Sequence, residues 1–304
     1  MLKTSGRWRL GLALSLLTVF LWGVLPISLS IVLQKLDVYT LTWFRFLMSF
    51  LLLSCYLKWR GNFPSFSQLG SIPWKLVAIA TIFLGINYIL FVKGLAMTAP
   101  TNAEVLIQLA PLLMGLGGLV IFKERYTLLQ WVGISILSIG FTLFFNEQLS
   151  NLITAQTTYL FGSGLIILAA FSWSIYALAQ KQLLQNLSSA HIMLMIYGGC
   201  ALLLIIFASP ETIFTLNLLQ GIMLLFCGLN TLIAYGAFAE ALEHWEASRV
   251  SAVLTLAPLV TLLSSKFVSK IAPNLIISEH FTFNGIIGAI LVVCGSTAIA
   301  LGKR

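Results

Sequence analysis

The chain has 304 residues, of which 17 are Lys or Arg and 9 are Asp or Glu, while 59% are hydrophobic. Charged residues make up 9%, against roughly a quarter in an ordinary soluble domain, and with a mean hydropathy of +1.00 this excludes a compact soluble enzyme, a disordered chain and a collagen-like one. A net charge of +8 would suggest nucleic acid in a soluble protein, but here the basic residues sit in short segments between apolar runs of roughly twenty residues, the length that crosses hydrocarbon.

Taken in chain order, those runs predict an all-α membrane protein of about ten spans: 10–32, 38–57, 75–96, 102–122, 128–145, 159–180, 191–208, 216–241, 247–268 and 282–301. Helix is preferred because an isolated span must satisfy its own backbone. The first run follows Lys3, Arg7 and Arg9 and so imitates a signal peptide. It is too long for an h-region and lacks a small-residue cleavage site, which makes it a retained span. Cys55, Cys200, Cys227 and Cys294 all fall inside apolar runs and read as small buried residues rather than disulfides or metal ligands. No connection is long enough to fold as a soluble domain.

With the N-terminus inside, the inner segments hold Lys3, Arg7, Arg9, Lys58, Arg60, Lys75, Lys123, Arg125, Lys181, Arg249, Lys303 and Arg304. The outer segments hold only Lys35, Lys266 and Lys270. The positive-inside rule therefore places both termini in the cytoplasm.

The chain also repeats itself. Residues 88–112 laid on 235–259 at a constant offset of 147 share Tyr88/Tyr235, Phe91/Phe238, Leu95/Leu242 and the run 109–112/256–259 around Pro111 and Pro258. Phe20-x-Trp22-Gly23 matches Phe171-x-Trp173-Ser174 at offset 151. Glu124-Arg125-Tyr126-Thr127 with Gly133 and Gly140 matches Glu279-His280-Phe281-Thr282 with Gly288 and Gly295 at offset 155, the extra residues including those around Ala272-Pro273-Asn274. Identities among leucines carry little weight; the shared register of Trp, Tyr and Pro carries more. The expected units are 1–148 and 149–304, five helices each. An odd number forces the second to enter the membrane from the opposite side, and inverted repeats around a midplane site are a recurring construction of alternating-access transporters.

These residues resemble the ten-helix EamA branch of the drug/metabolite transporter superfamily. The features that carry the resemblance are Phe20-Leu21-Trp22-Gly23, Trp43-Phe44-Arg45-Phe46, Ala110-Pro111, Lys123-Glu124-Arg125 and the spaced Gly133 and Gly140. Ser174 and His280 depart from the pattern in the second half. The resemblance implies a bacterial-type inner-membrane carrier, often an exporter of amino acids or related metabolites.

Several residues within the spans could carry chemistry. Pro111 and Pro258 sit near the middle of their spans and Pro26 a little past the middle of the first; each removes a backbone donor and reads either as a packing kink or as part of a cavity. Trp22, Asn87, Tyr88, Gln108, Trp173, Tyr176, Asn230 and Tyr235 are candidates for a pocket that takes a small amphipathic solute, the bland reading being interhelical glue. Arg45, Lys93 and Glu104 are intramembrane charges, which are expensive and usually paired or functional. Lys93 with Glu104, and Glu240 with Arg249, are candidate outer and inner gate pairs, the alternative being hairpin clamps. No acid stands at the centre of the first span, which argues for facilitated diffusion, and no Arg/Lys cluster faces inward to favour phosphorylated cargo.

There is no metal spacing, phosphate loop or nucleophile–base motif; Glu243-His244-Trp245-Glu246 superficially suggests metal but falls in a short turn expected to be solvated. The expectation is thus a monomeric transporter without cofactor or nucleic-acid partner, contacting membrane lipid and carrying a small metabolite such as an amino acid. A broad-specificity exporter of amphipathic or cationic compounds is the alternative within transport, and a membrane scaffold or enzyme the alternative outside it.

Overall fold

Apolar runs of this length must fold as helices in lipid, and they do. The computed structural model describes residues 5–63, 72–123, 126–154, 157–271 and 283–301. Their α-helices are α1 (Trp8–Val32), α2 (Val38–Trp59), α3 (Trp74–Met97), α4 (Pro100–Ile107), α5 (Leu109–Ile121), α6 (Leu128–Thr154), α7 (Thr157–Leu183), α8 (Ser189–Leu204), α9 (Leu218–His244), α10 (Ala247–Leu254), α11 (Ala257–Ile271) and α12 (Phe283–Leu301). Eight stretches are long and apolar enough to cross a membrane: α1, α2, α3, α4 with α5, α7, α8 with its 3-10 extension to Phe207, α9, and α10 with α11. The apolar parts of α6 and α12, Leu128–Leu143 and Phe283–Ile299, are shorter. The repeat counterparts at 124–125 and 279–282, the stretch at 272–274, and Lys3, Lys303 and Arg304 lie outside the described residues.

Helix starts follow local chemistry. Asp37 caps α2 by accepting from the backbone N–H groups of Tyr39 and Thr40, and Asn217 with Gln220 forms a capping box at α9. Helix breaks follow proline. The spans that contain Pro111 and Pro258 are interrupted at Gln108 and at Thr255–Leu256, three residues or fewer before each proline. Each proline withholds the N–H that the carbonyl four residues earlier would have received. Pro26 interrupts nothing; α1 runs through it.

Helix contacts come in swapped pairs. The packing of α1 on α9 has its counterpart in α7 on α3, and that of α1 on α11 in α7 on α5; α4 meets α11 as α10 meets α5. Helix α2 packs on α8, and α6 on α12. Matching helices of the two halves therefore pack in matching pairs. Side-chain bonds repeat the swap: Asn87 Nδ2 donates to the Ala169 carbonyl at 2.9 Å, and at the corresponding positions Thr18 Oγ1 donates to the Ala234 carbonyl at 3.3 Å.

Lipid offers little hydrophobic drive between helices, so close backbone approach and such bonds must hold the bundle. The α6–α12 seam is the clearest case. A Cβ on Gly133 would stand 2.8 Å from the Gly295 carbonyl oxygen, and one on Gly140 2.9 Å from that of Gly288. Only glycine fits there.

Two sequence expectations are corrected. Cys200 and Cys227 are buried, but Cys55 and Cys294 are exposed, because an apolar run has an outward face as well as an inward one. The 243–246 turn is not solvated at its centre: His244 and Trp245 are buried. The segment before α1 folds over it, with Ser5 Oγ 2.7 Å from His244 Nδ1.

Candidate functional site

The swapped contacts bring four rings together at the centre. Trp22 on α1 and Trp173 on α7 are repeat counterparts and meet edge-on at 5.7 Å. Tyr88 on α3 and Tyr235 on α9 are counterparts too, with ring centroids 5.5 Å apart, and Trp22 lies 4.9 Å from Tyr235. Aromatic pairs at such distances favour edge-on and tilted arrangements.

Beside this frame lies a cavity with about 610 Å³ of atom-free space, its opening included. It sits toward the end of the bundle where α1 and α3 finish and α4 begins. Trp22, Asn87, Tyr88, Gln108, Trp173 and Tyr235 line it, as do Arg45, Glu104, Pro26 and Pro111. Leu25, Phe91, Val92, Ile107, Ala110 and Leu254 complete the wall. Sequence reading missed these six because an apolar residue facing a cavity looks the same as one facing a neighbouring helix. Phe91 and Ala110 had a signal, being matched to Phe238 and Ala257 in the repeat.

The polar groups of the wall are held in specific ways. Arg45 is 2% exposed and Glu104 4%. Arg45 donates from Nε to Thr231 Oγ1 at 2.9 Å and its guanidinium lies 4.5 Å from the centre of the Tyr88 ring, a cation–π contact. Glu104 Oε1 accepts from Gln108 Nε2 at 3.2 Å, one helical turn away across the α4–α5 break. No nitrogen of Arg45 comes within 4.0 Å of a Glu104 oxygen. Buried and without a hydrogen-bond partner are Trp22 Nε1 and Gln108 Oε1. The Tyr88 hydroxyl makes no bond of full geometry, though Thr231 and Tyr235 stand near it. Unsatisfied buried polar atoms call for an explanation.

Other sequence-predicted residues lie elsewhere. Tyr176 packs behind Trp173 and Tyr235, at 6.1 and 6.0 Å. Asn230 Nδ2 donates to the Leu21 carbonyl at 2.6 Å, tying α9 to α1. Pro258 lines a smaller space among α4, α6, α11 and α12. The two charge pairs are not made in this structure. Lys93 donates to the Tyr39 hydroxyl at 2.7 Å while Glu104 turns to Gln108; Glu240 takes Ser189 Oγ at 3.0 Å and His244 at 3.5 Å, and Arg249 takes Glu246 at 2.8 Å. Glu104 and Arg249 find partners within four residues, whereas Lys93 reaches Tyr39 on α2 and Glu240 reaches Ser189 at the start of α8 as well as His244. One buried charge was missed: Lys181, 3% exposed, donates to the carbonyls of Leu242 and Trp245 at the end of α9. Its place in the last turn of α7 was only a partial signal, since the orphan carbonyls that its ammonium meets end α9 and not its own helix. Among the described residues no cluster of three or more His, Cys, Asp or Glu could hold a metal.

The sequence comparisons also divide the chain into two halves. The model of the EamA-like transporter family matches twice, over residues 9–146 and 160–301. The chain belongs to the EamA-like transporter family. This EamA-like transporter is 37% identical over 296 residues to the "Uncharacterized inner membrane transporter YhbE" of Escherichia coli (strain K12), covering 97% of this chain and 92% of that one. It is 23% identical to the "Probable amino-acid metabolite efflux pump" of Salmonella typhimurium, covering 96% and 95%. A solved crystal structure superposes with a TM-score of 0.70 at 17% identity, covering 97% of this chain and 99% of the other, which speaks to the fold. The EamA-like chain is thus a multi-pass inner-membrane transporter.

Proposed function

We propose that this transporter is a ten-helix carrier of two inverted five-helix units, with both termini cytoplasmic, that exports amino acids or similar small metabolites by alternating access. The observation that carries the reading is the cavity beside the aromatic frame: both halves supply the frame, yet among the described residues this space opens on the Phe91 side of it. On the other side Phe238 fills the position that corresponds to Phe91, packed 5.1 Å from Trp173 and 5.7 Å from Trp22. Two near-equivalent halves, one open and one packed, are what a rocking exchange between repeats requires. The distribution of Lys and Arg supports cytoplasmic termini, and so puts the cavity in the outer half of the membrane. The name of the Salmonella relative supports amino-acid cargo. A carrier of cations fits less well, because Arg45 shares the cavity with Glu104.

Counterflow in proteoliposomes tests this. Vesicles preloaded with mixed unlabelled amino acids should accumulate a labelled one saturably, without an ion gradient, and Trp22→Ala or Tyr88→Ala should abolish the uptake. No flux, including under an imposed proton gradient and with other metabolite classes, would reject the reading.

A further inference from the structure

The cavity holds two opposite charges that do not satisfy one another. Arg45 and Glu104 both line it, each more than nine-tenths buried, and neither takes the other as a partner within 4.0 Å. Arg45 commits only its Nε, to Thr231, which leaves the terminal nitrogens of its planar fork unbonded. Glu104 receives a single bond, from Gln108. A charge inside a membrane protein is costly unless compensated, and a direct Arg–carboxylate pair would be the ordinary compensation. Here the two are held apart, one over the ring of Tyr88 and the other on Gln108.

We infer that Arg45 and Glu104 read the two ends of a net-neutral, dipolar solute: the guanidinium takes its carboxylate and the Glu104 carboxylate its ammonium. The inference deepens the transport reading and rests on it. A zwitterion entering the cavity gives each buried charge the counter-charge that the protein withholds, and leaves the cavity neutral. A lone cation would leave Arg45 uncompensated and add its own charge; a lone anion would do the same for Glu104. Trp22 Nε1 and Gln108 Oε1, a donor and an acceptor without partners, stand in the same wall and suit the same two ends. The second half offers no such reading: the position matching Glu104 is Ser251 and that matching Gln108 is Thr255.

The test uses three probes with one apolar body: L-leucine, 3-methylbutylamine and 4-methylpentanoate. Binding to the purified full chain is followed by tryptophan fluorescence, since Trp22 and Trp173 line the cavity. The wild type should bind leucine at least about tenfold more tightly than either analogue, the scale of a hydrogen bond to a charged group. Arg45→Gln should erase the advantage of leucine over the amine without weakening the amine, and Glu104→Gln the advantage over the acid without weakening the acid. The wild-type ranking needs no variant, and Arg45→Lys keeps the charge should Arg45→Gln fail to fold. Equal affinity of the wild type for all three probes, or variants that weaken all three alike, would overturn the inference. Counterflow of another solute class alongside such a result leaves transport standing and removes only the dipole; no binding and no flux of any solute removes both.

Discussion

The two sides of the aromatic frame are built from matching positions and differ in almost everything polar. On the cavity side stand Asn87, Glu104, Gln108 and Pro26; at the matching positions on the packed side stand Ala234, Ser251, Thr255 and Ala177. The rings agree where the polar groups do not: Trp22 answers Trp173, and Tyr88 answers Tyr235. The rings and the pair Pro111/Pro258 recur in both halves and shape the frame, whereas in the proposed carrier recognition of a solute needs only one set of polar groups. The difference separates architecture from recognition within one repeat.

The comparison can be broken in several ways. The largest effect should come from Phe238, fully buried at 0% exposure: Phe238→Ala should lower stability in mild detergent by about 3–5 kcal/mol. Phe91→Ala, on the open wall, should lower it by less than half as much, and equal losses in unfolding titrations would mean that the two sides are packed alike. Next is Lys181→Met, which removes an ammonium from two carbonyls and should cost about 1.5–3 kcal/mol in the same titration, leaving the ranking of solutes unchanged. Gly133→Ala and Gly140→Ala should each cost about 1–3 kcal/mol through overpacking, while Gly236→Ala, with nothing within 4 Å of the added atom, should stay within about 0.5 kcal/mol.

The smallest effects sharpen the comparison rather than break it. Ser251→Ala should change the initial rate of counterflow by no more than about twofold, in contrast to its counterpart Glu104. A double-mutant cycle of Lys93→Met and Glu104→Gln on that rate should be additive within about 0.5 kcal/mol, because Lys93 is bonded to Tyr39 and Glu104 to Gln108. A coupling well above that would restore them as a gate pair.

Much of this was legible from residues alone, and for physical reasons. Span positions follow from run length, and the register of the repeat from Trp22, Tyr88, Pro111 and their counterparts, since such residues are too specialised to recur by chance. Asn87 and Gln108 could be aimed inward because hydrocarbon tolerates no unpartnered amide. The same argument applied to Asn230 gave an inward residue, but its partner proved to be a carbonyl on α1; need for a bond does not say where the bond is. The charge pairs are not made in this structure, since distance from a turn says how deep a residue lies and not which way it points around the helix. Which side of the frame is open could not be read at all: Phe91 and Phe238 are the same residue in the same register, and only packing distinguishes them.

The seam between α6 and α12 has a mechanical meaning. Gly133 faces Gly295 and Gly140 faces Gly288, and since Gly133 matches Gly288 and Gly140 matches Gly295 in the repeat the two contacts are counterparts, so that under the proposed inverted arrangement the pair would look the same from either face of the membrane. An exchange that makes the open half packed and the packed half open would change nothing in its register. Backbone meets backbone at both glycine contacts, with Leu137, Leu291 and Ile299 packed beside them, and in the proposed carrier the two helices would serve as the fixed axle about which the remaining spans trade places.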